Sequence, residues 1–116
     1  MQRNARAYLW DVLAAADAIL VFTAGLDARI YAETDVVHSA VERKFEIIGE
    51  ALGQLAKVDP ALAARVPDIR EIIAFRNILI HGYAAINHDR VWGIAEKFLP
   101  TLRAAVVALL DDLGPG

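Results

Sequence analysis

Residues 69–83 read IREIIAFRNILIHGY, and this stretch decides the fold. Apolar side chains lie nearly all round a helix drawn from Ile69 to about His81, which predicts that the helix is buried. Arg76 and Asn77 interrupt that apolar surface, and an unpaired buried guanidinium costs so much free energy that a structural or functional reason must exist. The stretch therefore predicts the centre of a helical protein with a polar site inside it.

The rest of the chain predicts further helices, because apolar residues recur at three- and four-residue steps. Gly25 is a candidate left-handed stop, and Asp59-Pro60 is a candidate N-cap followed by proline at the start of a short extra helix. Residues 26–33 are expected to form a linker, and Asp68 is expected to cap the helix that follows it. The other long helices are predicted from Ala7 to Ala24, from Thr34 or Asp35 to about Lys57, and from about His88 to Leu110.

No stretch alternates with the period of two that a half-buried strand needs. Short connections between long helices favour antiparallel packing. The predicted fold class is therefore all-α, an antiparallel four-helix bundle with a short extra helix, in a single domain that spans residues 1–116.

The amino-acid composition indicates what the protein contacts and in which compartment it is expected. Apolar residues make up 57% of the chain, which predicts that some of their surface is buried against another chain. The absence of cysteine excludes disulfides, thiolate metal sites and a cysteine nucleophile, and it fits a reducing compartment. No segment approaches the roughly 20 uncharged apolar residues that span a bilayer, so a cytoplasmic location without membrane contact is expected.

The charge of the chain is uneven. Its formal net charge of -3 argues against a protein that binds nucleic acid through general phosphate neutralisation. Four arginines lie between Arg65 and Arg90 against three acidic residues, a formal +1, which leaves -4 for the rest of the chain. Any site for a polyanion is expected in this segment.

The spacing of the polar residues in 69–83 decides what they can do together. Asn77 and His81 are four residues apart on one helical face, so the amide is expected to hydrogen-bond the imidazole and orient it. Arg76 and His81 are five apart, roughly 140° around an ideal helix, so one chain's pair is not expected to converge on one phosphate. A two-fold dimer with this helix at its interface would bring two such pairs together.

Two interpretations of Arg76 stay open from the residues alone. It can form an interior ion pair with a glutamate of the preceding long helix, either Glu42, Glu46 or Glu50, without any catalytic role. It can also serve RNA cleavage through the ribose 2′-hydroxyl, which needs a proton donor or acceptor and a cation beside the charged phosphorane. His81 and Arg76 together supply that chemistry without a metal.

The motif Arg76-x-x-x-x-His81-x-Tyr83 resembles the Arg-x-x-x-x-His-x-Tyr motif of HepT toxins in the HEPN superfamily. Residues 46–51, EIIGEA, resemble that family's second-helix signature. Residues 75–83, followed by Val91-Trp92, resemble its third and fourth helices. The resemblance covers nearly the whole chain.

The resemblance implies a homodimeric, metal-independent endoribonuclease toxin of a type II or VII toxin–antitoxin system. Arg76 and His81 would carry RNA cleavage, and Asn77 would be the supporting polar residue. A minimal nucleotidyltransferase antitoxin would use ATP to attach AMP to Tyr83, giving O-AMP-tyrosine, and the added bulk and negative charge would exclude RNA. The implied partners are RNA, a second copy of the chain and the antitoxin, in a homodimer or a larger complex, and the chain itself would need no cofactor.

Other candidate sites are weaker. His81, His88 and Asp89 lack a repeated metal-ligand spacing, so no metal site is expected, and His38 is expected at the surface or the core edge. The alternative to a ribonuclease is a catalytically inactive HEPN helical module that dimerises and binds a nucleotidyltransferase or a nucleotide. In that case Arg76 would only pair with a glutamate across the bundle.

Overall fold

A computed structural model describes residues 3–114, so the first two and last two residues of the predicted domain lie outside the described part. Four long helices and two short ones make up that part, with no strand among its residues. This confirms the predicted all-α helical fold. The helices are α1 (Ala5–Thr23), α2 (Ala28–Glu33), α3 (Asp35–Val58), α4 (Pro60–Ala63), α5 (Ile69–His81) and α6 (His88–Leu113), with a 3-10 turn at Tyr83–Ala85.

Residues 26–33 are not the linker that the periodicity predicted, because α2 occupies most of them. Asp27 caps this helix by accepting a hydrogen bond from the backbone N–H of Ile30 at 2.8 Å. Tyr31, in its middle, is fully buried. A six-residue helix is marginal by itself, so the burial of Tyr31 together with the cap accounts for it.

Several predicted helix ends are confirmed. Gly25 has φ +76°, the left-handed conformation expected after α1. The Asp59 side chain accepts a hydrogen bond from the N–H of Leu62 at 3.0 Å, which caps α4. Asp68 precedes α5 as expected, but its side chain makes no capping hydrogen bond and its φ is 58°, so the prediction that it caps the helix is wrong.

The core lies where α1 packs against α3 and α6, and α5 packs on the outer side of α3. Arg76 of α5 lies against Gly49 and Glu50 in the second half of α3, and the short connection after α5 leads to His88, which lies beside His38 and Glu42 in the first half of α3. The two helices therefore run antiparallel. The largest fully buried side chains are Tyr31, Leu9, Ile19, Ile48, Leu52, Leu55, Leu99, Val12, Val41, Val91 and Val106.

Gly49 allows α3 and α5 to approach closely. A Cβ atom built on Gly49 would lie 2.2 Å from the Cβ of Arg76 and 2.7 Å from its Cγ. Those atoms belong to the base of the Arg76 side chain, which cannot move away without moving α5 itself. One turn earlier on α3, Phe45 meets Phe75 edge to face, with ring centroids 5.3 Å apart. The glycine thus sets the spacing and the Phe45–Phe75 contact helps to hold it.

The expectation that α5 is buried on all sides is wrong for this chain alone. Its buried residues are Ile72, Phe75 and Leu79, while Ile78 is 43% exposed. A groove of about 360 Å³ separates α5 from α6, and Phe75, Ile78 and Phe98 are among the side chains that line it. An apolar side of α5 therefore remains uncovered.

Membrane insertion finds no support in the described helices: none has both the length and the apolar character needed to cross a bilayer.

The contact at Gly49 generates a prediction about stability. Gly49→Ala should lower the free energy of unfolding by about 1–3 kcal/mol, the usual cost of overpacking, because α5 must shift away from α3. Gly53→Ala is the matched control, since a Cβ there meets nothing within 4 Å. Replacing that helical glycine should raise the free energy of unfolding by about 0.5–1 kcal/mol.

Urea denaturation followed by circular dichroism, at equal protein concentrations, measures both changes. If both substitutions changed the free energy of unfolding equally and in the same direction, Gly49 would be an ordinary helical glycine.

Candidate active site at the end of helix α5

The four predicted site residues occupy the last two turns of α5 and the 3-10 turn after it. The side chain of Arg76 is 29% exposed and is the most buried of the four. Asn77 and His81 are exposed, and Tyr83 is 76% exposed. The motif thus combines one anchored cation with three accessible polar groups.

Arg76 is held by two partners. Its Nη2 lies 3.0 Å from Oε2 of Glu50, so one of the three glutamates considered from the sequence is its ion-pair partner. Its Nη1 donates a hydrogen bond to Oδ1 of Asn77 at 3.1 Å. Nε is buried without a partner among the described residues. Because Glu50 is 55% exposed, water screens the ion pair, and its net contribution to stability is small.

Asn77 does not have the contact predicted for it. The expected hydrogen bond to His81 is absent from the described residues, and the amide oxygen of Asn77 accepts from Arg76 instead. A hydrogen bond from a charged guanidinium is stronger than one between neutral groups, which accounts for the choice of partner. Asn77 therefore orients the arginine, and no side chain of residues 3–114 makes a hydrogen bond to the His81 ring.

His81 is the last residue of α5, and the glycine after it ends the helix. The N–H of Gly82 donates to the carbonyl of Ile78 at 2.8 Å. A Cβ on Gly82 would lie 2.9 Å from that same oxygen, so a larger residue would disturb the helix end. The glycine has φ −108°, so this close approach, rather than a left-handed backbone, is the reason for it. The end of the helix leaves the imidazole open to a ligand.

The groove beside Arg76 does not include His81. Arg76 lines a groove of about 410 Å³ with Arg3, Arg43 and acidic residues of α1 and α3, whereas His81 does not line it. The arginines of this groove are paired, Arg3 with Asp11, Arg43 with Glu46 and Arg76 with Glu50. In this groove the described residues therefore offer no histidine and no unpaired arginine.

Ion pairs also lower the positive charge that residues 65–90 offer to a polyanion. Arg65 pairs with Asp112 at 2.7 Å, which leaves Arg70 and Arg90 as the arginines of this segment without an ion pair among the described residues. Both are exposed. The positive charge available to a ligand near α5 thus comes from few side chains.

Sequence reasoning missed a second polar cluster. His88 does not group with His81 and Asp89, but with His38 and Glu42, and one ligand atom from each of these three side chains lies within 4.8 Å of the others. His38 is only 12% exposed and therefore belongs to the core edge. The four-residue spacing between His38 and Glu42, one turn of helix, was the available signal.

Sequence comparison relates the chain to a known protein family. The profile of a family described as Ribonuclease HepT-like matches residues 12–109. A "Putative RNase" of Methanocaldococcus jannaschii is 30% identical over 107 residues, which cover 90% of this chain and 95% of that protein. A "Putative RNase" of Caldanaerobacter subterraneus is 30% identical over 109 residues, covering 94% of this chain and 96% of that protein.

The "Probable ribonuclease HepT" of Thermococcus cleftensis is 29% identical over 103 residues, which cover 89% of this chain and 93% of that protein. No solved structure matches significantly. The family profile covers most of the chain, and the likeness to the archaeal and bacterial relatives runs along nearly their whole length. The chain belongs to the HepT-like ribonuclease family of the HEPN superfamily.

Proposed function

We propose that the protein is a metal-independent endoribonuclease toxin that acts in the cytoplasm as a homodimer. One observation carries the proposal. In a chain of the HepT-like ribonuclease family, the same helix bears an arginine held by an ion pair, Arg76, and an exposed histidine, His81. The system would be a toxin–antitoxin pair of type II or VII, with RNA as the substrate. No cofactor is needed for the cleavage itself.

The chemistry divides between the two side chains. His81 takes the proton from a ribose 2′-hydroxyl or gives one to the leaving 5′-oxygen, while O2′ forms a bond to phosphorus and the bond from phosphorus to O5′ breaks. Arg76 stabilises the extra negative charge of the phosphorane through its guanidinium group. A dimer holds two copies of His81, enough for one base and one acid.

Two features support a dimer built on α5. His81 does not line the groove beside Arg76, so a second chain could contribute its own histidine there. The uncovered side of α5 and the groove beside α6 present apolar side chains, including Ile78 and Phe98, to a partner. Burying such a surface drives association, as the high apolar content of the chain predicts.

Tyr83 fits the role of a modification site. Its ring is 76% exposed, and it lies two residues beyond His81. In the proposed reaction its phenolic oxygen attacks the α-phosphorus of ATP bound by the antitoxin, pyrophosphate leaves, and the phenolic proton is lost to a base. The AMP group then places negative charge and bulk beside the histidine, where an RNA phosphate must bind.

The alternative function is a catalytically inactive module that dimerises and binds a nucleotidyltransferase or a nucleotide. The ion pair between Arg76 and Glu50 favours it, because that contact gives the arginine a structural partner. On this interpretation, replacement of Arg76 lowers stability mainly through lost packing against α3, and there is no enzymatic activity to lose.

Substitution separates the two functions. Arg76→Ala and His81→Ala should each lower the rate of RNA cleavage by about 100-fold or more, the usual contribution of a positioned acid, base or charge stabiliser. Arg65→Ala, which removes an exposed arginine paired with Asp112 near the end of α6, should leave the rate nearly unchanged. The measurement is the cleavage rate of a labelled RNA in the presence of a metal chelator, with urea denaturation in parallel. Undiminished cleavage by both active-site variants would refute the proposed site.

A charge placed on the uncovered side of α5 tests the dimer. Ile78→Asp should shift the protein from dimer to monomer and abolish cleavage, because an aspartate would have to be buried in the interface. Val36→Asp is the matched control, since Val36 is 80% exposed at the start of α3 and should tolerate the charge. Light scattering after size exclusion gives the mass. A dimer that survives Ile78→Asp would place the interface elsewhere.

Intact mass spectrometry tests the modification. Incubation with the partner nucleotidyltransferase and ATP should add one AMP per chain and stop RNA cleavage. Tyr83→Phe should stay unmodified, whereas Tyr8→Phe, at a largely buried tyrosine, should be modified as the unaltered protein is. A mass gain that persists in Tyr83→Phe would assign the modification to another residue. A small nucleotidyltransferase encoded by the neighbouring reading frame is the expected source of the enzyme.

A further inference from the structure

The cluster of His38, Glu42 and His88 joins the beginnings of two long helices. His38 and Glu42 are one turn apart on α3, and His88 is the first residue of α6. Oε2 of Glu42 lies 3.4 Å from Nδ1 of His38 and 3.5 Å from Nδ1 of His88. Three potential metal ligands from two helices therefore converge on one point.

These distances are too long for good hydrogen bonds, which join charged N–H and O groups at about 2.7–2.9 Å. The three atoms concerned are buried and have no hydrogen-bond partner among the described residues. In a tetrahedral zinc site, however, ligand atoms about 2.0–2.1 Å from the metal stand roughly 3.3 Å from one another. The separations at Glu42 thus suit ligands around a metal better than a direct hydrogen-bonded triad.

The two imidazoles lie close together. The rings of His38 and His88 stack, with centroids 3.8 Å apart and planes at 25°, and Nδ1 of each lies within 3.5 Å of the same carboxylate oxygen. Because the lone pair of an imidazole nitrogen lies in the plane of its ring, a metal bound to both Nδ1 atoms would turn the rings out of this stack. The exposed carboxylate of Asp35 lies 3.3 Å from Nε2 of His38 and makes no hydrogen bond to it, so the ring is free to turn.

The cluster is largely shielded from water. The side chains of His38 and Glu42 are only 12% and 16% exposed, and that of His88 is 30% exposed. Tyr31 is fully buried beside them, with its ring 6.2 Å from that of His38 and 6.4 Å from that of His88. Burial raises the pKa of the Tyr31 hydroxyl, and the charge of Glu42 raises that pKa further, so the hydroxyl stays neutral.

The hydroxyl of Tyr31 is itself buried without a hydrogen-bond partner among the described residues. Unsatisfied buried polar atoms are rare in folded proteins, and here four side chains that contain them, those of Tyr31, His38, Glu42 and His88, lie together. A bound ion with one water molecule would supply partners to all of them at once.

We propose that His38, Glu42 and His88 bind a divalent transition-metal ion of the Zn²⁺ class, with water as a fourth ligand. Two imidazoles and one carboxylate are a ligand set that Zn²⁺ accepts, with one position left for water. The Tyr31 ring lies beside both imidazoles, so its buried hydroxyl would be a neighbouring partner for that water. The site is independent of the proposed RNA cleavage, which uses Arg76 and His81.

A metal at this point would fasten α6 to α3 at the first residue of α6. Residues 82–87, which include Tyr83, connect the end of α5 to that same residue. The ion would therefore fix the far end of the connection, while the packing of α5 on α3 fixes its near end. Its role is structural, and it would limit the positions that Tyr83 can reach.

Zn²⁺ itself is the probe. The full chain, freed of metal with a chelator and dialysed, should bind one Zn²⁺ per chain in a calorimetric titration, and Co²⁺ should give the absorption bands of a tetrahedral site. His38→Ala and His88→Ala should each weaken binding by more than about 100-fold, the upper range for changes that only disturb a supporting group. His81→Ala, at a histidine outside the cluster, should bind Zn²⁺ as tightly as the unaltered chain.

Glu42→Gln decides the matter if either alanine variant fails to fold, because it keeps the size of the side chain and removes its charge. It should lose Zn²⁺ binding and also the rise in Tm that Zn²⁺ causes in the unaltered protein. An unaltered chain that binds no Zn²⁺, or binding that survives in Glu42→Gln and in both histidine variants, would overturn the proposal. In that case the cluster is a metal-free polar contact between α3 and α6.

Discussion

The close approach of α3 and α5 at Gly49 is the constraint on which the candidate site depends. No side chain fits between the two helices there, so the base of Arg76 rests directly on the backbone of α3. This contact fixes the rotation of α5 about its own axis, with Phe75 and Leu79 turned inward and Ile78 and His81 turned outward. The accessibility of the histidine is therefore a result of packing near the middle of α3.

The ion pair of Arg76 gives the arginine of the proposed site a partner in the absence of substrate. A partly buried guanidinium with no partner would destabilise the fold, and Glu50 and Asn77 relieve that cost. Because Glu50 is half exposed, the contact is weak enough for a phosphate to compete with it. Under the proposed function, Glu50 and Asn77 would hold Arg76 in the free chain, and an RNA phosphate would take the place of Glu50 when substrate binds.

The sequence was informative where structure is local and less so where it depends on distant residues. The bounds of α5, the left-handed Gly25 and the Asp59 cap follow from neighbouring residues, and all three agree with the structure. α2 was missed because fewer than two turns give little periodicity, and its stability depends on the burial of Tyr31 by other helices. Apolar residues all round α5 could not reveal whether its own chain or another one covers them.

The candidate site divides in the same way. The pairing of Arg76 with a glutamate of α3 could be predicted from the cost of burying charge, but the hydrogen bond of Asn77 to Arg76, rather than to the histidine one turn away, could not. His88 could not be linked to His38 and Glu42 by spacing, because α4 and α5 separate them along the chain.

The arrangement of α5 has a further consequence for motion, since α5 packs closely on α3 alone and meets α6 across an open groove. Separating α5 from α3 is enough to free α5 from the rest of the chain. Within one chain, the amide hydrogens of α5 therefore exchange with solvent through a local opening that costs less free energy than the opening of α1 or α3.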